Sequence, residues 1–135
     1  MEIQCAIRFV GQLSGDAAAG AKAFFAEQGW QNVGGGLFAY SLEAELGGVD
    51  GPSLAMHKKI RDLYVPEGAF HGAVPVNVLL TAGGREMFSE PAEFGRVGST
   101  WGMKINEAEP PYFDDILRLR DKIMATLGAI AKGNN

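Results

Sequence analysis

Two carboxylates and one histidine are the residues of this chain whose types suit acid–base work. Glu43 and Glu45 stand two apart in a run that alternates apolar and polar, so both point to one strand face with Cβ atoms about 7 Å apart. Paired carboxylates can serve glycoside hydrolysis or hold a cation. The same spacing equally describes a solvated strand face. His71 falls in a glycine-bounded loop beside Phe70, four residues after Glu67. A carboxylate there can hold an imidazole as a general base. A hydrolase or isomerase of this kind makes one geometric demand: His71 must converge with Glu43 or Glu45 within hydrogen-bond reach.

Three other motifs fail on inspection. Gly15 to Lys22 lies between a strand and a helix, as a phosphate loop does, but Ala21 separates Gly20 from Lys22 and no hydroxyl follows. Amine and hydroxyl therefore miss the phosphate and magnesium positions, and Asp16 adds a repelling charge. Gly34-Gly35-Gly36 precedes a strand, whereas a dinucleotide fingerprint opens a helix. Cys5 alternates with Ile3 and Ile7 on a buried strand face, which reads as inert core. His57 and His71 lie on different elements with no cysteine partner, so no metal site and no cofactor are expected.

The positioning elements follow from hydrophobic period. The clearest is the last, from Pro110-Pro111-Tyr112 to Ala131, where Ile116, Leu119, Ile123, Leu127 and Ile130 form one helical stripe. Asp114 and Asp115 sit at its positive end. Upstream, Ile3, Cys5, Ile7 and Phe9 alternate as a strand, and a helix from Ser14 to about Gln28 carries Ala17, Ala21, Phe24 and Phe25 inward. Leu37 to Leu46 is a strand, then a helix runs from Pro52-Ser53 to Tyr64 and a loop from Val65 to Gly72. Val74 to Ala82 is a strand turned by Gly83-Gly84, Ser89 to Arg96 is irregular, and Val97 to Ile105 is the last strand. Clean alternation favours a sheet with one covered face. The spacing predicts an α+β single domain, a mostly antiparallel sheet of four to five strands with two or three helices on one face.

Composition narrows the partners. The 135 residues carry a net charge of −4, which disfavours nucleic acid or an anionic membrane. One cysteine, no apolar span and an N-terminus without a basic region lead to the expectation of a cytoplasmic protein. The polar strand face, holding Gln4, Arg8, Glu43, Glu45, Asn77, Thr81, Thr100 and Lys104, suits solvent, a dimer contact or the floor of a cleft. Phe70, His71, Phe94 and Arg96 stand in aromatic loops of the type that marks binding surfaces. Packing Phe88 and Phe94 back against the sheet is the competing use. If Leu117 and Met124 widen the last helix's stripe beyond the sheet, the surplus is a homodimer contact. The leading expectation is a non-enzymatic module, probing a small molecule or a protein partner through Arg8, Glu43, Glu45, Phe70, His71, Phe94 and Arg96, and acting as a homodimer. The alternatives are the His71 enzyme and an immunity-like protein neutralising a basic partner.

Overall fold

The computed structural model describes residues 1–13, 15–45, 47–65, 71–104 and 114–133, and of 71 and 114–116 the backbone alone. The chain runs β1 (Glu2–Phe9), α1 (Gly15–Glu27), β2 (Gln31–Gly34), β3 (Leu37–Glu43), α2 (Asp50–Arg61), β4 (Tyr64–Val65), β5 (His71–Ala82), β6 (Arg85–Val97), β7 (Thr100–Lys104) and α3 (Asp114–Ala131). The strands form one seven-stranded sheet in the order β2-β3-β1-β5-β6-β7-β4. All neighbours pair antiparallel except β4, which runs parallel to β7. The α+β class with a long C-terminal helix holds. The expected four to five strands become seven.

Each extra strand evades a hydrophobic-period reading for its own reason. β2 is Gln-Asn-Val-Gly with every residue exposed, so its only support is the ladder to β3. β4 has two residues, too few to show any alternation. The stretch from Ser89 to Arg96, expected to be irregular, lies inside the 13-residue β6. Pro91 stands opposite Asn77 of β5, and among the described residues β7 pairs with Phe94 to Val97, so the described β7 ladder does not ask Pro91 for a donor. The Gly83-Gly84 turn forms as expected, with φ of 58° and 81° and Ala82 opposite Arg85.

Ile3, Cys5, Ile7 and Phe9 of β1 face the helices together with Phe38, Val76, Val78, Leu80, Phe94 and Met103. Over them lie Ala21 and Phe25 of α1, Met56 and Ile60 of α2, and Leu119, Ile123 and Leu127 of α3. All three helices thus cover one face. α1 touches β3 through the Phe25–Phe38 stack and β7 through Gly20 and Trp101. Those strands are four spacings apart, roughly 19 Å if flat, while a helix is only about 10–12 Å across. The sheet therefore curls around α1, and its other face is convex.

His57 is buried on α2. Cys5 is core, as expected, and its thiol lies 3.8 Å from the Tyr40 carbonyl. Burial pushes that thiol from its ordinary 9.0 up to about 12, and burial with the Glu90 charge pushes Tyr64 from 10.0 to about 12. In both groups the native state holds a proton that the unfolded chain releases at lower pH. Stability is therefore full below the unfolded values and falls as pH rises from 9 towards 12. Urea midpoints measured across that range should decrease, and less so in Cys5→Ala. A midpoint that stays flat contradicts the burial.

Candidate functional site

The register decides the fate of the proposed acid–base pair. Glu43 stands opposite Glu2, and the neighbouring Ile3 stands opposite Ala82, so Glu43 lies at the Ala82 end of β5. His71 opens β5 at its other end, its backbone paired with Arg96. With 12 residues in β5, the two ends are separated by roughly 40 Å along the strand. No side chain spans that distance, so His71 and Glu43 do not converge. Glu45 lies beyond the end of β3 on the Glu43 side, exposed. His71 is thus a strand residue rather than a loop residue, and Glu67 and Phe70 lie outside the described residues.

The remaining sequence candidates also disperse. Glu43 is 76% exposed and pairs with the N-terminal amine at 3.2 Å. Arg8 lies on the convex face with a long 3.9 Å contact to Glu86. Gln4, Asn77 and Thr81 share that face, and Lys104 there pairs with Glu93 at 3.3 Å. A convex surface is not the floor of a cleft, so that use of the polar face falls away. Ala6, Ala39 and Leu79 bury a small apolar centre within it.

Phe94, expected as a binding residue, is instead fully buried. Its ring stacks on Trp101 at 5.6 Å and 10°, and on Phe25 at 5.7 Å and 23°. The reason is register: Phe94 opposes Met103 on the helix-covered face. Phe88 is buried on the same face. Arg96, two residues on, places its guanidinium 5.5 Å from the Trp101 ring centre and stays half-exposed.

A concavity formed by described residues lies elsewhere. At the opening of the curl, a half-open groove of about 560 Å³ runs between the β1–α1 connection and the β2–β3 hairpin. Gly11, Gln12 and Leu13 form one lip, and Ala18 and Lys22 of α1 form the wall behind it. Ala18 and Lys22 are four apart and so share a helix face, whereas Asp16 points away from them. Asn32 and Gly34 to Gly36 form the opposite lip, with Phe38 beneath. Gly35 and Gly36, at φ of 64° and 78°, make the two-residue turn that closes this hairpin.

Hydrogen bonding within the groove is asymmetric. Asn32 Oδ1 accepts the Gly34 N–H at 3.0 Å, and the Gly36 carbonyl accepts the Phe9 N–H at 2.9 Å. Each of those oxygens already accepts one bond, while the Asn32 amide nitrogen, the Gln12 amide and the Lys22 ammonium face the groove. Lys22 makes no ion pair among the described residues. None of these lining residues had been singled out as a site. The signal was present as two glycine clusters, Gly11 to Gly15 and Gly34 to Gly36, flanking Lys22.

The described chain is thus an α+β protein with a one-sided curled sheet and a groove at the mouth of the curl. Compared with protein-family models, curated proteins and solved structures, it finds no match. Among the described residues no group of His, Cys, Asp and Glu is arranged to hold a metal ion, and no helix is long and apolar enough to cross a membrane.

Proposed function

We propose that this protein is a small-ligand-binding module that receives its ligand in the groove between the β1–α1 connection and the β2–β3 hairpin. The groove itself carries the reading. At about 560 Å³ it falls within the roughly 300–1,000 Å³ of small-molecule sites. It pairs an apolar wall of Leu13, Ala18 and Phe38 with a few converging polar groups. Those polar groups are an ammonium and two amides, a set that holds and orients a ligand. A homodimer belongs to the same proposal, supported by Leu54 and Leu117, which remain 51% and 40% exposed on the helical layer.

Ala18→Phe tests the groove. The substituted ring enters the space beside Lys22 without disturbing the buried face of α1, so folding is retained. Fragments that bind should shift the amide resonances of Gly11 to Leu13 and Asn32 to Gly36, and Ala18→Phe should weaken them by about tenfold or more. Fragments that bind equally well to Ala18→Phe would place the site elsewhere.

A further inference from the structure

We infer that the groove selects a small oxyanion-bearing ligand with an apolar body, held through Lys22 and the Asn32 amide. This rests on the groove being the ligand site, and it names what that site accepts. The argument starts from which hydrogen-bonding groups are left over. The Asn32 oxygen is committed to the Gly34 N–H and the Gly36 carbonyl to the Phe9 N–H. What faces an incoming ligand is the Lys22 ammonium, the Asn32 amide nitrogen that the Gly34 contact orients, and the Gln12 amide, which can either donate or accept, so the one full charge among them is positive. A ligand meeting these groups gains by accepting, and a carboxylate or phosphate accepts best, because bonds between charged partners are shorter and stronger than neutral ones.

Charge in the lining agrees. Among the described residues that line it, Lys22 is the one ionisable side chain and none is acidic. Asp16, the nearest acid in sequence on α1, lies on the opposite side of the helix from Ala18. The chain as a whole is at −4, which opposes an anion at long range. That repulsion is screened beyond about 8 Å at physiological salt, so the contact with Lys22 decides affinity. The site differs from a phosphate loop. α1 is already helical from Gly15, and the cation approaches from the side of the helix in its second turn. Leu13, Ala18 and the Phe38 edge supply the apolar wall, which suits a flat hydrocarbon body attached to the anion.

Three probes of one shape decide the matter: phenylacetate, phenyl phosphate and the neutral phenylacetamide. Each is titrated into the full chain while amide resonances are followed. At least one of the two anions should bind about tenfold tighter than phenylacetamide, and the tighter one identifies carboxylate or phosphate. Lys22→Met should remove that advantage, bringing the anions down to the affinity of phenylacetamide, and Lys22→Arg should restore most of it. Lys22 is exposed, so neither variant threatens the fold. If phenylacetamide binds as tightly as both anions, or if Lys22→Met leaves the anions unaffected, the anion inference is overturned while the groove reading stands. If no probe moves Gly11 to Leu13 or Asn32 to Gly36 at millimolar concentration, the anion inference is likewise overturned. The groove reading is then judged separately by the Ala18→Phe comparison.

Discussion

Replacing Phe25 by alanine lowers the stability of the native chain by about 4 kcal/mol, the upper range for loss of a large buried ring. Phe25 is fully buried on α1 and is the ring at which the curl is fastened. It stacks on Phe38 at 4.5 Å and on Phe94 at 5.7 Å, and meets Phe9 and Trp30 edge-on at 6.4 and 5.7 Å. Its partners come from β1, β3 and β6, so no single neighbour can move in to fill the vacated volume. The transfer and cavity terms therefore both count, and ring–ring contacts add to them. The neighbouring Phe24 is only partly buried and contacts Phe25 and Phe94. Phe24→Ala should cost clearly less, about 1–2 kcal/mol. Urea unfolding measures both, and an unchanged m-value certifies that the same two states are compared. A Phe25→Ala loss below that of Phe24→Ala would mean that the aromatic cluster does not hold the sheet around α1.

Gly20→Ala is the second large effect, and its sign runs against helix propensity. In the middle of α1 the added methyl would ordinarily gain about 1 kcal/mol. Here a Cβ on Gly20 meets Cε2, Nε1 and Cζ2 of Trp101, all within 2.6 Å. The Trp101 ring has little freedom to yield, being stacked on Phe94 and capped by Arg96. Either α1 backs away from β7 or the ring gives up those contacts, and overpacking of this type costs about 1–3 kcal/mol. With the overpacking cost at its upper end for so close a contact, set against the propensity gain of about 1 kcal/mol, the expected result is a net loss of about 2 kcal/mol. In a Trp101→Leu background the same substitution should become neutral or stabilising, because the two sites couple through direct contact. Stabilisation by Gly20→Ala in the unmodified chain would show that α1 does not rest on β7.

These two residues mark what could be read in advance. Phe25 was legible as an inward residue because Ala21 and Phe25 repeat at the helical period. Gly20 was legible only as part of a failed phosphate motif, since nothing local says that an indole from residue 101 will lie against it. The same division runs through the strands. β1, β3 and β5 carry their large apolar residues at alternate positions, and the helix-covered face was assigned correctly down to Cys5, while Ala6, Ala39 and Leu79 are buried on the other face as well. β2 buries none, β4 is two residues long, and β6 contains a proline, which breaks a strand reading of its sequence.

The candidate site was harder still. His71, Glu43 and Glu45 were chosen for their chemistry, yet chemistry at a distance is idle, and the antiparallel register sends His71 and Glu43 to opposite ends of the sheet. Phe94 was chosen for being aromatic outside regular structure, and register turned it inward instead. By itself, the sequence determined the fold class, the face that the helices cover and the buried thiol, because each follows from periodicity along a short stretch of chain. Tertiary structure alone decided the seven-strand order, the curl and the groove. Those depend on which distant segments pair, and pairing is governed by backbone ladders in which every residue offers a carbonyl and every residue but proline an N–H. Lys22, Asn32 and Phe38 line one groove because β3 lies beside β1 and α1 packs across both, a juxtaposition no local pattern of residues encodes.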